Sequence, residues 1–106
     1  MDKDTLYKKH ILEAIAEAET FVLRMSCENF RRDKLRRAGV VRELEIIGEA
    51  ANHLSAKFRN RYPDIPWHDI VGLRNRIIHE YFKINYKRVW NVVKKNLPKL
   101  KSALKK

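Results

Sequence analysis

The sequence predicts an all-α fold, an up-and-down bundle of about four main helices that occupies residues 1–106 as a single domain. Three observations carry this. Apolar residues recur at three- and four-residue spacing along most of the chain, the period of a helix with one buried face. Only three glycines and three prolines are present, too few for the turns of an all-β fold of this length. Charged residues make up 35% of the chain and apolar residues 44%, a balance that suits helices with one buried stripe and one solvated face. At 106 residues there is room for one core and not for two.

The first helix is expected over residues 5–25, with Leu12, Ile15, Ala18, Val22 and Met25 in one stripe. Ser26 can cap a short turn through Phe30, and Asp33 a second long helix, because a side-chain oxygen there accepts an otherwise unpaired backbone N–H. The seam of that second helix reads Val41, Leu44, Ile47, Gly48, Ala51, Leu54 and Phe58. Inside a helix Gly48 costs up to ~1 kcal/mol relative to alanine, so close packing against another element is expected there. Residues 61–66 break the pattern, since Pro63 and Pro66 lack an N–H and restrict the residue before them. A helix resumes over residues 67–82, with Trp67, Ile70, Val71, Ile77, Ile78 and Tyr81 on its apolar side. Asn85 can cap a last helix through Val89, Val93, Leu97, Leu100 and Leu104, kinked or restarted near Pro98. Spare apolar surface would be covered by a second copy in a homodimer, which periodicity alone does not decide.

The formal net charge is +11, and it is unevenly placed. After Glu80 come Lys83, Lys87, Arg88, Lys94, Lys95, Lys99, Lys101, Lys105 and Lys106, with no acidic residue. Such a field draws polyanions, chiefly nucleic acid or an anionic membrane surface; lysines that only solvate a helix face would give the same count. Cys27 is the only cysteine, so no internal disulfide forms, which fits a reducing compartment, and it reads as a small packed residue. The charged start is unlike a signal peptide, and no apolar run reaches the roughly 20 residues that span a bilayer. A cytoplasmic protein without a membrane partner is expected.

The four histidines, His10, His53, His68 and His79, form no H-E-x-x-H pattern and no zinc spacing, so neither metal nor cofactor is expected. Asp64 and Asp69 near His68 read as a solvated turn. Glycine-rich phosphate loops and the serine-hydrolase elbow are missing as well. What remains is the stretch from Leu73 to Phe82, which carries Arg74, Asn75, Arg76, His79 and Tyr81. Chemistry on a phosphodiester needs a group that exchanges protons near neutral pH, and histidine is suited to it. It also needs a fixed cation for the charge that grows on the phosphoryl oxygens, which arginine supplies. Five residues apart on a helix, Arg74 and His79 point about 140° away from each other. A second copy across a two-fold axis can bring its own pair to one cleft. The same spacing also fits a solvated Arg74 and a hydrogen-bonded packing role for His79.

At these residues the chain resembles the HEPN-type ribonuclease toxins of the HepT group. Their motif, R-x-x-x-x-H-x-Y, reads here Arg74-Asn75-Arg76-Ile77-Ile78-His79-Glu80-Tyr81. The flanks agree, with Ile46-Ile47-Gly48-Glu49-Ala50 on the long helix, Arg61-Tyr62-Pro63-Asp64-Ile65-Pro66-Trp67 in the turn and Asn96-Leu97-Pro98 near the end. One departure is Glu43 after Arg42, where asparagine is the commoner residue. The resemblance implies a homodimeric bundle with both motifs lining a shared cleft, and metal-independent RNA cleavage by attack of the ribose 2′-hydroxyl. It implies His79 as general base or acid, Arg74 as the phosphate-binding cation, and Asn75 and Arg76 in support. Lys83, Lys87 and Arg88 would hold flanking phosphates of a tRNA or mRNA substrate. It further implies a toxin–antitoxin pair, in which a minimal nucleotidyltransferase antitoxin silences the toxin by transferring AMP to Tyr81. An alternative is a non-catalytic helical subunit that binds a nucleotidyltransferase or a nucleotide through Arg74 and Arg76. A generic basic RNA-binding bundle is a third.

Overall fold

The computed structural model describes residues 2–80 and 82–105. Helices run in the order α1 (Lys3–Phe21), α2 (Cys27–Arg32), α3 (Lys34–Asn52), α4 (Ala56–Asn60), α5 (Trp67–Val71), α6 (Leu73–His79), α7 (Tyr86–Asn91) and α8 (Leu97–Lys105), the last two joined by a π-helical stretch, Val92–Asn96. No strand occurs among the described residues, and none of their helices is long and apolar enough to cross a membrane. The expected all-α class is what the chain adopts.

Short polar side chains set five of the helix starts, those of α1, α2, α3, α4 and α7. Ser26 accepts the Asn29 N–H at 3.0 Å, Asp33 that of Arg36 at 2.9 Å and Asn85 that of Arg88 at 3.0 Å, as the sequence predicts. Asp2 and Ser55 cap α1 and α4 in the same way. Each such cap satisfies an N–H with no partner inside its helix and contributes about 1 kcal/mol.

α1 and α3 lie antiparallel, tied at both ends. Ser55, just beyond α3, donates its backbone N–H and its hydroxyl to the Asp4 carboxylate at the start of α1, at 2.8 and 2.6 Å. At the other end Arg36 donates to the Phe21 carbonyl at 2.9 Å, and the Phe21 ring lies so close on Gly39 that a Cβ there would meet it at 2.6 Å. Ile11, Ile15 and Ala18 of α1 share one core with Val40, Leu44, Ile47 and Ala51 of α3, Phe30 of α2 and Leu97, Leu100 and Leu104 of α8.

Three expected boundaries move. The first helix stops at Phe21 because Arg24 takes a left-handed backbone (φ 63°), although Val22 and Met25 still pack on the core. The second ends at Asn52 and not at Phe58, since Ser55 is bound to Asp4 and opens α4, which carries Phe58; Val40, not Val41, is its fully buried valine. The third is divided at Gly72 and ends at His79, leaving Ile78 51% exposed and Phe82 outside the helix. Tyr81 lies outside the described residues. Near Pro98 the helix is irregular as expected: the π-helical stretch precedes it, with the Leu97 N–H reaching back to the Val92 carbonyl.

The position of α6 follows from Gly48. A Cβ on Gly48 would stand 3.1 Å from both the Arg74 nitrogen and the Ile70 oxygen, so the α5–α6 junction rests with its backbone on α3. The preceding turn is fixed by Trp67, whose indole N–H is shared between the carbonyls of Arg59 (3.0 Å) and Tyr62 (3.2 Å).

Gly48→Val is expected to destabilise the fold by about 1–3 kcal/mol, because backbone cannot yield to the added methyls; thermal melting followed by circular dichroism measures it. Asp4 gives a pH-dependent outcome. The Ser55 hydroxyl, and then its N–H, hold the Asp4 carboxyl below its ordinary range. That contribution is fully present above the unfolded carboxylate value of about 3.9 and is lost as pH falls through the lower folded value. Asp4→Asn should therefore melt earlier than the parent at neutral pH, with the gap closing as the solution is acidified below about pH 4.

Candidate active site

The seat on Gly48 turns Arg74 of α6 toward α3. Its Nη1 stands 3.5 Å from Glu49 Oε2, and the other oxygen of Glu49 stands 3.2 Å from His53 Nε2. The His53 ring stacks on Tyr7 of α1 (centroids 4.7 Å, planes 12° apart), and His10 meets Tyr7 edge-on at 5.7 Å. Both Arg74 and Glu49 are about half exposed, so their pair contributes no more than about 1 kcal/mol to stability. Its consequence is orientation. Beside it opens a groove of about 380 Å³ lined by Tyr7, His10, Arg42, Glu45, Glu49 and Arg74.

The other motif residues face elsewhere. Asn75 and His79 are exposed, and among the described residues neither side chain makes a hydrogen bond or ion pair. Arg76 donates to the Asp69 carbonyl at 2.8 Å. Together with Arg88 it lines a cleft of about 480 Å³ floored by Ile70, Leu73, Val92 and Leu97. Arg76 and Arg88 thus line one cleft, whereas His79 is not among the residues that line the groove beside Arg74.

Lys83 is exposed, with its N–H bonded to the Glu80 carbonyl at 2.7 Å. Lys87 shares an open groove with Arg31, Arg32 and Arg37, cations that the sequence reading, drawn to the C-terminal lysines, missed. Arg37 lies over the Tyr86 ring at 4.3 Å and donates to the Arg31 carbonyl at 2.9 Å, while its buried Nε has no partner among the described residues. Part of the tail's charge is engaged internally: Lys101 pairs with Glu19 at 3.1 Å and Lys94 lies over Trp90 at 5.3 Å. Glu49 and His53 were missed too, although the i, i+4 spacing beside Gly48 is a usable signal, because a residue flanking a close helix contact faces the helix it meets. At Glu43, burial and then the Glu17 carboxylate push the acid above its ordinary range, so a neutral amide there would avoid both penalties. Among the described residues no group of three or more His, Cys, Asp and Glu is placed to hold a metal ion.

Residues 11–106 match the family model described as ribonuclease HepT-like. The chain belongs to the HepT-like ribonuclease family. It is 40% identical over 94 residues to "Putative RNase MJ1380" of Methanocaldococcus jannaschii, covering 89% of this chain and 86% of that protein. It is 38% identical over 99 residues to "Putative RNase TTE0752" of Caldanaerobacter subterraneus subsp. tengcongensis, covering 93% and 88%. To "Probable ribonuclease HepT" of Thermococcus cleftensis it is 37% identical over 100 residues, covering 94% and 91%. No solved structure gives a significant match. The family likeness spans α3, which carries Glu49, His53 just beyond its end, and the motif helix α6.

Proposed function

We propose that this HepT-like chain is the toxin of a toxin–antitoxin pair and cleaves RNA as a metal-independent endonuclease. The observation that carries the reading is a complete Arg74…His79…Tyr81 motif whose arginine and histidine are both solvent-exposed on α6, in a chain of this family. His79 removes the proton of a ribose 2′-hydroxyl, which attacks the adjacent phosphorus; the bond to the 5′-oxygen breaks, and that oxygen takes up a proton. Arg74 stays charged throughout and holds the phosphoryl oxygens as negative charge grows on them. The products are a 2′,3′-cyclic phosphate and a 5′-hydroxyl. In-line attack needs a flexible backbone, so single-stranded parts of tRNA or mRNA are the substrates. Asn75 orients the site, and Arg76, Lys83, Lys87 and Arg88 hold flanking phosphates, which makes affinity salt-dependent.

Because Arg74 and His79 diverge on one helix, the working site is completed in a homodimer, where a two-fold axis sets equivalent patches face to face. Exposed Ile78, beside His79, supplies apolar surface for that contact. Control lies with a minimal nucleotidyltransferase antitoxin. The Tyr81 hydroxyl attacks the α-phosphorus of ATP, pyrophosphate leaves, and the AMP now attached fills the site with bulk and negative charge.

Purified protein is expected to cut single-stranded RNA in EDTA and leave cyclic-phosphate ends. His79→Ala and Arg74→Ala should each slow cleavage by about 100-fold or more; a parental rate in either variant removes its residue from the chemistry. A mixture of the two variants, exchanged to form mixed dimers, should recover activity that neither has alone. Co-expression with the cognate nucleotidyltransferase should add one or more AMP units to the intact mass and silence cleavage, and Tyr81→Phe should abolish the added mass.

A further inference from the structure

We propose that the groove between α1 and α3 beside Arg74 is a nucleobase pocket that selects, next to the phosphate Arg74 holds, a base bearing an exocyclic amino group. This rests on the reading of Arg74 as the phosphate-binding residue. At about 380 Å³ the groove falls in the range of small-ligand sites, about 300–1,000 Å³. One wall is aromatic: Tyr7, with His10 at its edge, and His53, outside the lining, backs the Tyr7 ring by stacking on it. Single-stranded RNA is read chiefly by such rings, on which unpaired bases stack, together with side chains that bond their edges.

The opposite wall comes from α3. Arg42, Glu45 and Glu49 line the groove at spacings of three and four residues, which place them on one face of the helix. Both oxygens of Glu49 are engaged, one with Arg74 and one with His53. Glu45 and Arg42 differ from it. Each lines the groove, and among the described residues neither side chain makes a hydrogen bond or ion pair, although Arg42 acts at longer range on Glu43 and the spacing of the two permits a mutual pair. Glu45 is therefore an unengaged carboxylate, and an ionised carboxylate only accepts hydrogen bonds. It suits the amino groups of adenine, cytosine and guanine and opposes the carbonyl that uracil presents in their place. The formal charges of Arg42 and Arg74 balance those of Glu45 and Glu49. A groove so balanced and ring-walled suits a base, whereas the cradle of Arg31, Arg32, Arg37 and Lys87 suits bare phosphate.

The test uses full-length His79→Ala protein, so that RNA stays intact, with fluorescent A6, C6 and U6 hexaribonucleotides followed by anisotropy. A6 and C6 are expected to bind about tenfold more tightly than U6. Adding Glu45→Gln should bring the three within about twofold of one another, because an amide also donates to the uracil carbonyl. Tyr7→Ala should weaken A6 and C6 about tenfold through lost stacking, and Lys87→Ala should weaken all three alike. An unchanged melting curve for Glu45→Gln sets misfolding aside. Equal binding of the three oligomers, absent binding, or a preference that survives Glu45→Gln overturns the pocket. Cleavage of the same oligomers by the unaltered chain separates the two readings. Base-selective binding without cleavage sinks the nuclease and leaves the pocket, while cleavage without base selection does the reverse.

Discussion

The contact on which the site depends is the bare backbone of Gly48 against the α5–α6 junction. Ordinary side chains would hold two helices 8–10 Å apart. Here a Cβ on Gly48 would stand 3.1 Å from main-chain atoms of Ile70 and Arg74, so the junction is brought in closer. That proximity fixes which face of α6 looks at α3, and with it the partner of Arg74. Glu49 follows Gly48 in the chain, and its carboxylate meets the Arg74 guanidinium with one oxygen and the His53 ring with the other.

A helix that carries its arginine and its histidine five residues apart cannot aim both inward. Ile77 occupies the buried side of α6, and the two polar residues flank it on exposed surface. Such a helix offers half a site twice over: a cation turned toward α3 and an imidazole at the last helical position, each open to an approaching strand. The proposed dimer resolves that divergence without rebuilding either helix, and the proposed nucleotidyl transfer to the next motif residue would close it. The fold provides a firm platform and leaves the arginine and histidine of the motif on exposed surface.

Much of this was legible in the sequence, and the parts that were not share a cause. The caps Ser26, Asp33 and Asn85 act on N–H groups three residues away, so local pattern suffices. Gly48 was legible because a glycine inside a helix needs a reason, and the angle between Arg74 and His79 because helical period dictates it. The break before Ser55 was hidden, since it depends on Asp4, 51 residues distant. The division at Gly72 and the stacking of His53 on Tyr7 likewise depend on how helices are rotated against each other, which periodicity does not specify. Charge misled in one respect: the basic run after Glu80 drew notice, while Arg31 and Arg32, beside Glu28 in sequence, gave no sign that they fold next to Lys87.

The tethers between α1 and α3 have a consequence for the order of assembly. They join Asp4 to Ser55 and Phe21 to Arg36, so every residue they use precedes the motif. On a translating ribosome both tethers are thus encoded before Arg74 has been polymerised, whereas Leu97, Leu100 and Leu104, which complete the shared core, come after it. A growing polypeptide has the two ties of its first long helix pair available early, and closes the core over them last.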